Sequence, residues 1–567
     1  MKSIKPWNFE LSNLWATTRG IDHQKLLIAT CFVLLISFSG LYLLFPPDLA
    51  SQPWDSLQYA YSTEIDGIRS IRGNHPLGHV ILIAVFALAK QLGYDGRALT
   101  IFQATNGILG GLIVTIFFVI LVSIIKIRAL YAIGFSLIVG SSNGFRFFAG
   151  TGDIYHLSIL FSLLVWASLA LVITLKNQPF PVLPGILTGL SILFHQLNSV
   201  LIPVGLVLIL LTPASGAQAK KTKIKQIAVF IGAASAVVVL GYLVLGFIAT
   251  SSVSLPRVIG WMRGYFGDPT YGRYLDIGSL EIAWLTISQA VLFSAQNTPG
   301  AISSGTLAFL MLLMLLGLWS NKVLDTRKQA IMIAFTLECL LTWPLILWWE
   351  PQNPKFWLLA LIPWMILLAL SFEAVEISFP NKLPKYGNFM SHTTKTLPFI
   401  IGVALLSINI QYIDNKKETV AFNEALDIWM DNSSSNDVLI TAGDLIPHLI
   451  YWGKRPNTVY LYRILQTSQF SPDNFHGLRQ KIHLALCTHH AVLIAPAASE
   501  YVTDSELSLV GVTREELRFY LYETARRGEI IFWYRNVWDG KLLPVYALRR
   551  SVACSDKKSF IYLPIEF

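Results

Sequence analysis

The chain has 567 residues, 54% of them hydrophobic and only 14% charged, with a formal net charge of +9. Apolar runs near the ~20 residues that cross a bilayer core recur along it, which excludes an ordinary soluble enzyme and makes it a polytopic membrane protein. The positive excess lies in residues 1–413, which hold 26 Lys and Arg against 16 Asp and Glu. Cytoplasmic retention of cations explains that excess, and nucleic acid is not expected as a partner.

The first apolar run, Leu26 to Phe45, comes after Lys2, Lys5, Arg19 and Lys25 and has no small-residue cleavage site, so it reads as an anchor with the N-terminus in the cytoplasm. The run Pro76 to Leu92 is short and carries His79 and Lys90; it is laid in the outer leaflet, because a crossing here would export Lys126 and Arg128. Spans are then expected at Ala98–Ile125, Ala129–Phe148 and Ile154–Leu175. The stretch Val182–Leu211 is too long for one helix and is interrupted by His195-Gln196-Leu197-Asn198 and Pro203, so it is expected as a hairpin of two short spans. Later spans are expected near Ile227–Ala249, Thr306–Ser320, Ala330–Trp348, Phe356–Leu370 and Leu397–Tyr412, giving about eleven crossings.

An odd number of crossings puts residues 414–567 outside. That segment holds 17 Lys and Arg and 18 Asp and Glu, a density typical of a soluble domain. Val438 to Thr441 and Ala491 to Ala495 read as buried strands and Glu515 to Arg527 as an amphipathic helix, which makes it an α/β domain. The expected organisation is a transmembrane module over 1–413 and an extracytosolic α/β domain over 414–567. Cys487 and Cys554 fall in the second part, where an oxidising compartment would let them pair if the fold brings them together. Cys31 and Cys339 sit inside apolar runs and read as core or lipid-facing side chains. Asn432-Ser433-Ser434 fits a glycosylation acceptor pattern and equally an ordinary loop.

In this threading nine Lys and Arg of the membrane part lie outside: Arg69, Arg72, Lys90, Arg97, Arg146, Arg257, Arg263, Arg273 and Lys355. Cations kept against the insertion bias, beside acids, fit a site for an anionic ligand such as a lipid phosphate; interfacial snorkelling is the bland alternative. The first outer loop contains Pro53-Trp54-Asp55-Ser56, then Arg69, Arg72 and Asn74-His75-Pro76-Leu77-Gly78-His79. Asp55, near an apolar surface, is a candidate general base, with a helix cap as its structural alternative. The second outer loop contains Asn143-Gly144-Phe145-Arg146 and Gly150-Thr151-Gly152-Asp153-Ile154-Tyr155-His156. Asp153 opens a span, where the helix dipole favours its ionised form. His75 and His79 have i, i+4 spacing, but His75 precedes proline and no HExxH exists, so hydrogen bonding is favoured over zinc. Trp261-Met262-Arg263 through Asp276 and Trp348 to Trp357, which includes Glu350 and Lys355, supply aromatic faces and forked donors suited to sugars and phosphates, or to an interfacial belt.

Trp54-Asp55, His75-Pro76-Leu77-Gly78, Arg146 and Gly152-Asp153-Ile154-Tyr155, in this order, resemble the C-type (GT-C) membrane glycosyltransferases, and most nearly their bacterial protein O-mannosyltransferase-like group. The resemblance implies a multi-pass enzyme of the cell envelope, in the plasma or inner membrane. It would take a sugar from a polyprenyl- or dolichyl-phosphate donor, by an inverting displacement, onto a glycan, lipid or protein acceptor. Asp55 would be the base or acceptor-orienting group and Asp153 a supporting acid or metal contact, a divalent metal being compatible with the pattern. Arg72, His75, Arg146 and Lys355 would hold the leaving phosphate, with Tyr155, His195, Trp261, Arg263 and Glu350 as further substrate contacts. Ser56, where these enzymes carry a second acid, and Leu77, where they carry a second proline, depart from it. Two other classes compete: a transporter or flippase of lipid-linked glycans, which would use the intramembrane Glu338, and a non-enzymatic assembly scaffold.

Overall fold

The computed structural model describes residues 20–47, 52–174, 181–212, 219–263, 277–294, 298–382, 387–410, 416–441, 445–459, 461, 465, 475–488, 490–501, 507, 512–535 and 542–548. The described residues are mostly helical and fall into two compact units. Gly20–Leu44 and most of the chain between it and Ile410 form the first; the helix Trp54–Ile65 groups with residues after Asp414 in the second.

In the first unit seven helices are long and apolar enough to cross a membrane: Gln24–Leu44, Ala98–Ile124, Tyr155–Val172, Lys220–Thr250, Gly300–Trp319, Thr326–Trp349 and Pro354–Ser378. Five shorter apolar helices accompany them, at Pro76–Gln91, Ala129–Ser141, Val182–Phe194, Gln196–Leu211 and Thr396–Ile410. The protein is therefore an integral, multi-pass membrane protein. Pro354–Lys382 is the central helix, buried without interruption from Trp357 to Glu376. A helix apolar on every face needs other helices or lipid around it, and the burial of this one shows that other helices surround it.

Two local breaks shape the unit. At His195 the backbone becomes extended (φ −160°, ψ 124°), ending Val182–Phe194 and opening the short 3-10 turn Gln196–Val200. Gly185 and Gly189 of the first arm meet Phe230–Val237, and Gly205 of the second meets the Phe230 ring, so the two arms run in opposite directions along Lys220–Thr250. The expected hairpin is thus present, with His195 at its tip. The second break was not expected. The anticipated span Ala129–Phe148 stops at Ser141, Ser142 is extended (ψ 139°), and a separate helix runs Asn143–Ala149. Carboxamides satisfy the backbone freed there. Asn409 donates to the carbonyls of Ser141 (2.7 Å) and Leu292 (3.0 Å), and Asn143 donates to that of Ala290 (3.0 Å). Ala290 and Leu292 belong to a π-helical segment, Ile287–Leu292, that closes the helix Ile277–Thr286.

The second unit contains a four-stranded mixed sheet, β1 (Val438–Ile440), β2 (Val492–Ile494), β3 (Glu529–Arg535) and β4 (Leu542–Leu548), in the order β1-β2-β4-β3. β1 and β2 pair in parallel and are buried throughout, as Val-Leu-Ile triplets covered on both faces must be. β4 pairs antiparallel with β2 and with β3, the latter through a bulge at Ile530/Phe532. Lys416–Asp431 places Trp429, fully buried, edge-on to Phe532 and Tyr534. The expected helix near Glu515–Arg527 spans Arg514–Ala525 behind a Thr513/Glu516 capping box. Cys487 is disulfide-bonded, whereas Cys31 and Cys339 are free; Cys554, its candidate partner, lies outside the described residues.

Candidate functional site

Four helix ends of the first unit meet at one place. Pro76 starts its helix at the position where a missing N–H is harmless, and His75 before it has a non-helical backbone (φ −141°, ψ 49°) and makes no side-chain cap. Its ring is therefore turned to another use: Nδ1 lies 3.3 Å from the carbonyl oxygen of Phe194. That carbonyl belongs to the last turn of Val182–Phe194, where helix oxygens lose their intrahelical donors. One residue on, the His195 ring accepts the Leu197 N–H at Nδ1 (3.1 Å) and meets the Tyr155 hydroxyl at Nε2 (3.3 Å). Tyr155 is the first residue of Tyr155–Thr174. Lys355, at the start of Pro354–Lys382, holds Nζ 5.7 Å from the Tyr155 ring centroid.

The result is a tight aromatic cluster. Ring centroids lie 4.5 Å apart for His75–His195, 5.7 Å for His75–Tyr155 and 5.1 Å for Tyr155–His195, and Phe356 closes one side at 6.1 Å from Tyr155. The His75 pKa is lowered to about 3, chiefly by burial, with the charges of Lys355 and Arg72 acting in the same direction and the Phe194 carbonyl opposing them. Burial likewise holds His195 well below the ordinary histidine value, with His75 and Lys355 acting in the same direction. Both imidazoles are neutral at physiological pH, beside two fixed cations.

A second layer holds the loop segment that bears Arg72 and His75. Trp261 donates from Nε1 to the Ile71 carbonyl (2.8 Å). Gln196 Nε2 lies within donor distance of the carbonyls of Gly73 (3.3 Å) and Met262 (3.1 Å) and of the Tyr242 hydroxyl (3.0 Å). Gly73 packs so closely that a Cβ would stand 2.0 Å from the Trp261 carbonyl oxygen. Below His195, Asn198 donates to Ser158 Oγ (2.9 Å) and to the carbonyl and hydroxyl of Ser191 (3.0 and 2.8 Å), fixing the broken turn.

Asp153 is 1% exposed; its Oδ1 accepts the Ile154 N–H (2.7 Å), and its carbonyl accepts from the Asn106 carboxamide, which also reaches the Thr151 carbonyl (2.7 Å). Arg146 is buried on Asn143–Ala149, and His156 packs edge-on to Phe145 at 4.7 Å. Glu350 accepts from Asn353 (3.1 Å), whose Oδ1 accepts the Lys355 N–H (3.3 Å), so these residues build the turn that presents Lys355. Arg263 is exposed at the end of Leu255–Arg263; the rest of that aromatic loop, Gly264 to Asp276 with Arg273, lies outside the described residues. Asp55 is half-buried in the first turn of Trp54–Ile65, a helix of the second unit. His79 is fully buried with Nε2 3.5 Å from Ser70 Oγ, and among the described residues no three His, Cys, Asp or Glu side chains gather to hold a metal ion. Gly73 and Asn106 carried no sequence signal and Gln196 was legible only as part of a polar break, because a carboxamide or a glycine acquires its role only from neighbours remote in the chain.

No family model matches the sequence, and no curated protein sequence matches it. Among solved structures, ArnT from Cupriavidus metallidurans, bound to undecaprenyl phosphate, matches with a TM-score of 0.52 and 10% identity, covering 95% of this chain and 100% of that one. The chain has the C-type membrane glycosyltransferase fold. The Archaeoglobus fulgidus oligosaccharyltransferase in complex with zinc and sulfate is also similar, with a TM-score of 0.47 and 12% identity over 91% of this chain and 72% of that one. Within this C-type fold the His75–Tyr155–His195 cluster forms at one end of the central helix. The acidic residues Glu373 and Glu376 mark the other end, roughly 30 Å away at ~1.5 Å per residue.

Proposed function

We propose that the protein is a membrane glycosyltransferase that takes its sugar from a polyprenyl-phosphate donor. The observation that carries the reading is the convergence of Arg72 and Lys355 on a buried aromatic cluster at one end of a bundle with the ArnT fold. Fixed cations beside a low-dielectric wall suit the phosphate of a lipid-linked donor, and aromatic faces suit a sugar ring. Asp55 takes the proton of the acceptor hydroxyl as its oxygen attacks the anomeric carbon. The carbon–oxygen bond to phosphate breaks, and the lipid phosphate leaves with the electron pair. A single displacement of this kind inverts the anomeric centre. Asp153 acts as a supporting acid, and Arg146 extends the positive lining.

The cluster face is read as extracytosolic. Lys126, Arg128, Arg327 and Lys328 sit by the opposite end of the central helix, as cytoplasmic retention of cations requires. The disulfide at Cys487 supports an oxidising compartment for the second unit. One observation favours a second reading, a transporter of lipid-linked glycans: Glu338 is 4% exposed within a span, and among the described residues its Oε2 has no hydrogen-bond partner. A glycan-transfer assay in membranes with Asp55→Asn, Asp153→Asn and Glu338→Gln separates them. Loss with the two aspartate variants alone supports the transferase, loss with Glu338→Gln alone supports the transporter, and activity in all three points to a scaffold.

A further inference from the structure

The proton positions of the two histidines are set by their partners. A carbonyl oxygen only accepts, so the contact between His75 Nδ1 and the Phe194 carbonyl puts the His75 proton on Nδ1 and a lone pair on Nε2. A backbone N–H only donates, so the Leu197 contact puts the His195 lone pair on Nδ1 and its proton on Nε2, which donates to the Tyr155 oxygen. The two rings thus carry opposite tautomers, although their centroids lie 4.5 Å apart. Among the described residues His75 Nε2 has no hydrogen-bond partner.

From this geometry we infer that His75 Nε2 accepts a hydrogen bond from a ligand hydroxyl, and that the phosphate falls to the cations, Arg72 and Lys355 foremost, and not to His75. The inference rests on the transferase reading and differs from the expectation that His75 grips the leaving phosphate. The donor phosphodiester carries no proton at neutral pH and the monoester it leaves is mostly the dianion there, so an oxygen of either would meet lone pair against lone pair at Nε2. A hydroxyl of the transferred sugar, or of the acceptor, donates there instead. Ammonium and guanidinium groups are donors only, which is what phosphate oxygens need. His75 therefore acts as a specificity residue for a hydroxylated ligand.

The test uses the full-length protein in nanodiscs. Ring-15N spectra, assigned by the loss of signals in His75→Gln and His195→Gln, should show His75 protonated at Nδ1 and His195 at Nε2; a His75 proton on Nε2 overturns the inference. Affinity for undecaprenyl phosphate should fall about tenfold or more in Lys355→Gln, as truncating a charge against a desolvated anion does. In His75→Phe it should stay within about twofold, the range of a weak neutral contact. An equal loss in His75→Phe and Lys355→Gln overturns it. Undecaprenyl phosphomannose distinguishes the sources of the hydroxyl: if the affinity gained from the sugar disappears in His75→Phe and persists in His75→Gln, the sugar supplies it. If the gain survives while transfer falls, the acceptor supplies it, and if both survive the hydroxyl assignment is overturned. Should Lys355→Gln and Arg72→Gln leave undecaprenyl phosphate binding intact, the phosphate site proposed above fails, while the tautomer spectra still decide the polarity of His75.

Discussion

His75 and His195 face each other at 52° with the same ring nitrogen, Nδ1, engaged by backbone in opposite roles, His75 donating to a carbonyl and His195 accepting from an amide. The pair of contacts does not survive protonation of both rings, because an imidazolium at His195 would present N–H to N–H at Leu197. Buried neutral rings of this kind make folding sensitive to acid in a calculable direction.

For His75 the folded value, about 3, lies below the ordinary 6.5. The unfolded chain therefore binds the extra proton first, and the contribution of His75 is complete above pH 6.5 and lost as pH falls toward 3. Thermal midpoints of detergent-solubilised protein should decline over that window, and His75→Gln should decline less steeply. Parallel slopes for the two proteins would show that the ring is not held neutral.

Gly73→Ala tests the layer behind the site. A Cβ there would lie 2.0 Å from the Trp261 carbonyl oxygen and 2.8 Å from its carbon, and both are backbone atoms that no rotamer change can remove. The helix Leu255–Arg263 must shift, at a cost of about 1–3 kcal/mol by analogy with overpacked cores. The Trp261 indole would leave the Ile71 carbonyl, so the expected readouts are a lowered thermal midpoint and altered tryptophan emission, the latter absent in a Trp261→Phe background.

Breaks that coincide with polar residues were legible in the chain. His195-Gln196-Leu197-Asn198 interrupts an apolar run, and the structure bends there; His75-Pro76 announces a helix start, and one begins. The break at Ser142 also falls on a turn-forming run, Gly140-Ser141-Ser142-Asn143-Gly144, but the apolar residues flanking it let it be absorbed into one span, and the carboxamide of Asn409 that receives the freed backbone is remote in the chain. β3 and β4 escaped notice for a different reason. In β3 a bulge makes the two-residue period slip, and β4, Leu-Leu-Pro-Val-Tyr-Ala-Leu, is apolar throughout and carries a proline. The grouping of Trp54–Ile65 with the C-terminal unit arises from side-chain packing that no local pattern encodes.

That grouping is testable through Tyr451. The helix Leu445–Tyr451 packs against Trp54–Ile65, and the Tyr451 hydroxyl, on a fully buried side chain, donates to Glu64 Oε1 at 3.0 Å. Tyr451→Phe keeps the ring and removes the hydrogen bond, which is worth about 1.5–3 kcal/mol when the acceptor is charged. Because Asp55 rides on the same helix, transfer activity should fall together with protection of residues 54–65 from amide exchange. Activity lost with protection unchanged would separate Tyr451 from the positioning of Asp55.

At the far end of the central helix, two acids on successive turns take cations from the starts of two different helices, and their environments predict unequal effects. Lys328 and Glu373 form a 2.7 Å pair with side chains only 13% and 9% exposed, whereas the Arg128 partner of Glu376 is 52% exposed. Removing Lys328 leaves a buried carboxylate without its cation, a loss of about 3–5 kcal/mol. Removing Arg128 breaks a solvent-screened pair worth under about 1 kcal/mol, and the Tyr131 hydroxyl still holds Glu376 at 2.9 Å. Lys328→Met should therefore lower the thermal midpoint well below that of Arg128→Met, and Lys328→Met with Glu373→Gln should recover most of the difference. The recovery isolates the cause: if the double variant is as unstable as Lys328→Met alone, the lysine stem and its contact with the Lys126 carbonyl matter more than the charge it neutralises.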